Sequence, residues 1–512
     1  MPPRTSFKAD ASFFEKIAIG VVGAEVVQRE LTSFGHQIVE LERGALDTKL
    51  WKDVKRKRVR IPDLVCAKCG QRVESRAKTR PELSMSHSPG DSERAWDFGM
   101  MPDDWIAFPI CESTSRREWS QGQLAHGDSY WHERRWSHWK SGGVINIFSV
   151  GSFRKSLPKP KPAKGVTEGS EIQVFWPATF SPLEGKITRI ESGVIRYVGY
   201  GESKERFLRL SRSNGEILSP AVVEGEQIRQ HQVIAAAVAP LGKGEVSCRG
   251  GLTEDGVASM LRSRQQTVRY TGCRLAKVLR LNSLSALLTD LARDPAEDIY
   301  TRLEARSYLV AVSGRDAHEE FGGSLAPSVD APWRLESIIA LADTPSSSAL
   351  ELLKSVLQDQ GSPFFLRSAS AWALSHFPGE EAASALVSTF DSMELDLRRE
   401  AIVALVKSGD SALEPALKGL ADGSSDVAAG CFEALRRIGI APVETLKDLA
   451  ESGRASEWVI WLLASLPRSR VMPAIMAWQR SRPDLYFALS VLWSFFESWV
   501  SEIWEVSPGP RA

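Results

Sequence analysis

Leu397-Arg-Arg-Glu-Ala-Ile-Val-Ala-Leu405 decides the architecture of half the chain, because the same phrase returns at a nearly fixed interval. Upstream it reads Leu366-Arg-Ser-Ala-Ser-Ala-Trp-Ala-Leu374, Trp333-Arg-Leu-Glu-Ser-Ile-Ile-Ala-Leu341, Thr301-Arg-Leu-Glu-Ala-Arg-Ser-Tyr-Leu309 and Val268-Arg-Tyr-Thr-Gly-Cys-Arg-Leu-Ala276. Downstream come Val427-Ala-Ala-Gly-Cys-Phe-Glu-Ala-Leu435 and Trp458-Val-Ile-Trp-Leu-Leu-Ala-Ser-Leu466. Each phrase follows the last by nearly the same step, within the range of helical repeat families. Small residues at fixed places inside helices of this period let helix pairs stack closely, which predicts an α-solenoid over residues 250–512. Arginines 269, 302, 334, 367 and 398 fall at one recurring position. They read as caps on the preceding helix rather than as a DNA cradle, since the chain beyond residue 165 is net acidic.

These phrases resemble short HEAT-type repeats, and the resemblance covers most of the chain beyond position 250. It implies a helical array that engages a protein partner. An aromatic tail follows Met472, with Trp478, Tyr486, Phe487, Trp493, Phe495, Phe496, Trp499 and Trp504. The tail either caps the last repeat or, with its apolar face left open, docks a partner.

Composition bounds the rest. The chain has 512 residues, enough for two to four domains, with 43% hydrophobic and 25% charged residues, as in ordinary globular proteins. No apolar run approaches the twenty or so residues a membrane helix needs, and the first residues lack the layout of a secretory signal. Six cysteines in so long a chain argue for reduced thiols, and a cytoplasmic location is expected. The 64 Lys and Arg balance the 64 Asp and Glu overall, yet residues 1–165 hold 28 of the bases against 20 acids. Their densest basic run contains Lys52, Lys55, Arg56, Lys57 and Arg58. Such a run suits nucleic acid, DNA before RNA, because neutralising phosphates releases counterions; it serves equally as a solvated hairpin edge.

Ahead of the repeats the pattern predicts an α/β domain over 1–155, a Pro/Lys linker over 156–165 and a small all-β barrel or sandwich over 166–240. The first helix should run from Phe13 to Phe34 and stop at Gly35, with a strand from Ile38 to Leu41. Arg72 to Lys78 alternates as a strand, which would put Glu74, Arg76 and Lys78 on one face. Trp105 to Cys111 and Val144 to Val150 read as further strands.

Pro62-Asp63, followed by Glu74 with Arg76 and Lys78 behind it, supplies two carboxylates and a neighbouring cation, the groups a magnesium-dependent phosphodiesterase needs. The stretch resembles the core of the PD-(D/E)xK nucleases, whose members cut or bind DNA. The resemblance implies magnesium at Asp63 and Glu74, with Glu25 on the first helix as an outer ligand. In that family a lysine stands two residues after the second acid, whereas here Arg76 does and the lysine comes at 78. Arginine cannot act as a base, so either Lys78 reaches the site from one pleat further on or the site is degenerate.

Between the acids, Cys66-Ala-Lys-Cys69-Gly70 has the form of half a zinc knuckle. The other half is expected from Cys111, His87 or the group His126, His132 and His138. Two functions follow for the whole chain. One is a metal-dependent nuclease, placed by analogy in genome maintenance or defence against foreign DNA. The alternative is a non-catalytic nucleic-acid-binding or scaffold protein that keeps a degenerate nuclease fold beside its interaction solenoid.

Overall fold

The computed structural model describes residues 11–42, 61–113, 139–142, 144–156, 158–160, 172–211, 217–439, 442–453 and 456–506. They form two compact units, Met1–Ser313 and Gly314–Ala512.

The first unit opens on helix α1, Ala11–Ser33. Its end is a Schellman turn: His36 N–H bonds Leu31 O at 3.2 Å and Gly35 N–H bonds Thr32 O at 3.0 Å. The turn needs a left-handed residue, and Gly35 supplies it with φ of +87°. The chain then enters β1 (Ile38–Glu40), which begins a meander with β2 (Leu64–Cys66) and β3 (Arg72–Ser75). Strand β4 (Leu83–His87) leaves for another sheet, and β5 (Trp105–Phe108) returns parallel to β3. A small antiparallel pair, β6 (Cys111–Ser113) with β7 (Trp139–Ser141), precedes β8 (Asn146–Ser149) and helix α2 (Val150–Lys155). The five-stranded order is β1-β2-β3-β5-β8. Val27 and Leu31 of α1 pack on Ile38, Leu64, Val73, Ala107 and Ile147 of this sheet.

The Pro/Lys run does not separate two cores. Its residues Lys159–Pro160 form β9 against β10 (Ile172–Trp176), and β10 in turn pairs with β4 from Ile172↔His87 to Trp176↔Leu83. Strand β10 therefore belongs with residues 83–87. One apolar cluster joins Leu83, Phe108, Phe148 and Phe153 to Val174, Trp176, Val233 and Val238, with Trp176 and Phe153 rings 4.6 Å apart.

The predicted barrel or sandwich is two open sheets among the described residues. One holds β11 (Ala178–Phe180), β17 (Val233–Ala236) and β15 (Ser219–Pro220); the other holds β14 (Glu205–Arg209), β13 (Val194–Gly199), β12 (Gly185–Glu191) and β16 (Gln227–Ile228). Ile187, Ile195, Leu218, Ile228 and Ile234 fill the space they share. A single-turn helix α3 (Lys243–Val246) and an extended segment lead to the helices Glu254–Leu261, Gln266–Val278, Ser285–Arg293 and Ile299–Ala311.

In the second unit helices of 8–14 residues alternate through Ser456–Ser465, and the long helix Pro483–Val506 ends the described chain. All seven repeated phrases are helical across the two units, the last of them through Ser465. Three of the recurring arginines do cap the preceding helical segment: Arg269 bonds Ser263 O at 2.8 Å, Arg367 bonds Leu357 O at 2.9 Å, and Arg398 bonds Ser392 O. Over residues 485–495 the last helix has one buried and one exposed apolar face. Leu485, Leu489 and Trp493 are buried, while Phe487, Val491 and Phe495 form an outward stripe, 71%, 51% and 58% exposed. Among the described residues no helix is long and apolar enough to cross a membrane.

Candidate metal centre and acidic pair

The Schellman turn, the β2–β3 turn and the segment after α3 converge on four soft side chains. Cys66 ends β2, and Gly70 closes its turn with an N–H bond of 2.8 Å to Cys66 O and φ of +77°. The turn is stitched to α1's exit by Ala67 N–H to Gln37 O at 2.7 Å and Lys68 Nζ to Gly35 O at 3.0 Å. Cys248 N–H bonds Phe34 O at 3.0 Å, and Leu252 N–H bonds Lys68 O at 3.0 Å. As a result one ligand atom from each of His36, Cys66, Cys69 and Cys248 lies within 4.8 Å of every other.

The imidazole is already oriented. His36 Nε2 stands 2.7 Å from Val246 O, and a carbonyl only accepts, so the ring proton sits on Nε2. That leaves the Nδ1 lone pair directed at Cys69 Sγ, 3.6 Å away, while the indole of Trp105 packs edge-on at 5.6 Å. Cys66 Sγ is fully buried, lies 3.9 Å from Cys248 Sγ, and accepts an N–H bond from Lys68 at 3.4 Å. The bond from Cys69, reinforced by His36 and backbone amides against the opposing effect of burial, holds the Cys66 thiol down to about 4. The same bond pushes Cys69 well above the usual thiol range. Cys66 is thus set up as a thiolate, the form that ligates metals.

His36 and Cys248 are not the partners the sequence suggested. Cys111 lies on β6 with Sγ 3.8 Å from Ile19 O, its thiol pushed up to about 11 by burial, and neither it nor His87 on β4 joins the cluster. His126, His132 and His138 lie outside the described residues. So do Lys52, Lys55, Arg56, Lys57 and Arg58.

The acidic pair sits on the neighbouring stretch of the same sheet. Asp63 directly precedes β2 and Glu74 lies in β3; the register Leu64↔Val73 puts them opposite one another, 7% and 8% exposed. Asp63 Oδ2 accepts from Ser75 N at 2.9 Å, and Glu74 Oε1 meets Arg76 Nη2 at 3.0 Å. The strand predicted to reach Lys78 stops at Ser75, with a single bridge from Lys78 to Ile110 beyond it. Lys78 Nζ bonds Ser84 Oγ at 3.0 Å, and Ser84 in turn donates to Glu82. Glu25 is exposed on α1, and the described residues do not bring it together with Asp63 and Glu74 as a three-carboxylate group.

Comparison with known proteins bears on the helical array alone. The HEAT repeats family matches residues 324–405. No curated protein matches the chain significantly. Similar solved structures include Escherichia coli YibA, 13% identical over 48% of this chain and 93% of that one, with a TM-score of 0.25. A designed armadillo repeat protein in complex with peptide (KR)4 is 18% identical over 46% of this chain and 98% of that one, with a TM-score of 0.19. An engineered protein is 14% identical over 46% and 76%, with a TM-score of 0.24. The periodic helices make the C-terminal region a helical repeat array, and within it residues 324–405 match the HEAT repeats family.

Proposed function

We propose that the protein is an interaction scaffold whose HEAT-type repeats bind a protein partner. The observation that carries this reading is the repeat array itself, because stacked helix pairs present an extended surface that contacts partners without catalytic groups. The outward stripe of Phe487, Val491 and Phe495 on the last helix adds apolar area of the kind that marks interaction sites. On the N-terminal sheet, Asp63, Glu74 and Lys78 each hold a neighbour of their own, which fits a fold kept without its chemistry. The test is to isolate complexes of the full chain, reconstitute the partner from purified components, and compare wild type with Phe487→Asp/Phe495→Asp. A stoichiometric complex weakened at least tenfold in the variant is expected. A partner bound equally by the variant and by a chain lacking residues 314–512 would refute the reading.

A second reading, magnesium-dependent cleavage of nucleic acid, is supported by one feature: two buried carboxylates placed opposite one another by the β2–β3 register, with the Arg76 cation against Glu74. Asp63 and Glu74 would hold the ion through oxygen, and Arg76 or Lys78 would steady the transition-state charge. Incubation with duplex and single-stranded DNA and RNA in magnesium or manganese decides it. Cleavage that disappears in Asp63→Asn and Glu74→Gln would establish this reading, and cleavage unaffected by either would remove it.

A further inference from the structure

We propose that His36, Cys66, Cys69 and Cys248 form a closed Cys3His zinc site that clasps the N-terminal sheet to the base of the helical array. The spacing of the ligand atoms suits the ion. A tetrahedral zinc with Zn–S of about 2.3 Å and Zn–N of about 2.05 Å sets its ligand atoms about 3.8 Å apart for two sulfurs and about 3.6 Å apart for sulfur and nitrogen. The structure places Cys66 Sγ 3.9 Å from Cys248 Sγ and Cys69 Sγ 3.6 Å from His36 Nδ1. Both separations match edges of that tetrahedron, and the other pairs fall within 4.8 Å.

The surroundings agree with the donor set. A metal-bound histidine usually donates its other ring N–H to a fixed acceptor, and Val246 O fills that place for His36. An amide N–H on a ligating sulfur stabilises thiolate charge, and Lys68 supplies one to Cys66. Three thiolates and an imidazole select a soft ion such as zinc over magnesium or calcium. With four protein ligands no position is left for water or substrate, so the role is structural.

Position gives the site its consequence. His36 leaves α1, Cys66 and Cys69 hold the β2–β3 turn, and Cys248 stands six residues before the first helix of the array, Glu254–Leu261. The same seam is crossed by Arg72, which pairs with Asp104 at 2.5 Å and reaches Thr271 Oγ1 at 3.4 Å, and by Arg274 Nε to Glu40 O at 3.0 Å. A bound ion would lock together three stretches of chain far apart in sequence, Cys248 among them lying 182 positions beyond Cys66.

Metal analysis of the purified full chain tests the site before any variant is made. About one zinc per chain is expected, with absorption fitting three sulfurs and one nitrogen, and cobalt replacement should give the thiolate charge-transfer and tetrahedral d–d bands. Cys248→Ser should lose at least nine-tenths of the bound zinc. His36→Cys, which keeps four ligands, should retain it and shift the absorption fit to four sulfurs. Hydrogen exchange should speed up at residues 34–37, 64–72 and 246–253 after chelation while residues 314–439 stay unchanged. A chain that binds no zinc when prepared reduced, or one that binds it equally in Cys248→Ser, overturns the proposal, as does a Cys66–Cys248 disulfide in freshly prepared protein.

Discussion

Arg367 and Glu394 meet at 2.7 Å across twenty-seven residues, and the same guanidinium holds the carbonyl of Leu357 at 2.9 Å. The forward contact recurs along the array: Arg269 pairs with Glu297, Arg334 with Ser362 and Arg398 with Asp426, each twenty-eight residues on. At 269, 367 and 398 the arginine thus fastens one helix end behind it as well as one loop ahead of it. Arg367→Ala should destabilise the second unit by about 2 kcal/mol, chiefly because it strands the buried Leu357 carbonyl, with a smaller loss from the ion pair to Glu394. Glu394→Gln, at a half-exposed partner, should cost less than about 1 kcal/mol. Urea unfolding of the full chain, followed at tryptophan, measures both; equal costs would show that the carbonyl bond carries nothing.

Gly430 faces the ring of Phe390 so closely that a β-carbon there would overlap it. Gly430→Ala should therefore cost about 1–3 kcal/mol through overpacking, although alanine is the better helix former. Phe390→Leu should recover part of that loss in the double variant. Additive effects in the four-member cycle would show that the two residues do not meet.

Glu433 is pushed up by burial, but the bonds from Arg436 and Arg437 outweigh it and hold the carboxyl below its ordinary value. A folded-state pKa lower than the unfolded one gives stability that is present above the unfolded pKa of about 4.3 and is lost as pH falls through the folded value. At neutral pH Glu433→Gln should lower stability by about 0.3–1 kcal/mol, the range of exposed helix pairs. The gap between the two proteins should close in acid. A gap that persists at pH 3 would mean that the side chain contributes by packing and not by charge.

Cys111 separates the proposed ligand set of His36, Cys66, Cys69 and Cys248 from the one expected from the sequence. Cys111→Ser should leave zinc content at about one per chain, whereas Cys69→Ser should abolish retention through gel filtration. Loss of zinc in Cys111→Ser would return that thiol to the ligand set.

The repeats were legible because their signal is local and multiplied: each phrase repeats the burial pattern of its neighbours, so seven weak patterns reinforce one another. Gly35 was legible for the same local reason, as the left-handed residue of a helix stop. His36 and Cys248 were not, since a lone histidine and a lone cysteine carry no spacing, and their meeting depends on a contact between opposite ends of the first unit's sheet region. One clue existed: Cys248-Arg-Gly250-Gly251 repeats the thiol-then-glycine character of Cys69-Gly70. The misplacement of β10 has a different cause. Alternating prolines around Lys159 signal extended chain, and extended chain is a linker or an edge strand depending on what lies beside it. Here β10 lies beside it, and β4 lies beyond.

The β4–β10 pairing also governs the order in which this protein can mature. A ribosome that has delivered the chain as far as Gly165 has released β4 with its edge bare and Leu83, Phe108 and Phe153 without Trp176 or Val233 to cover them. At about 5–20 residues per second, that nascent chain waits several seconds for the missing strands. The thiols at 66 and 69 wait longer still, until Cys248 emerges. Fragments cut at the proline run would make that waiting permanent, so expression of residues 1–165 alone should yield aggregate, and a soluble N-terminal piece should require the chain to continue past Val238.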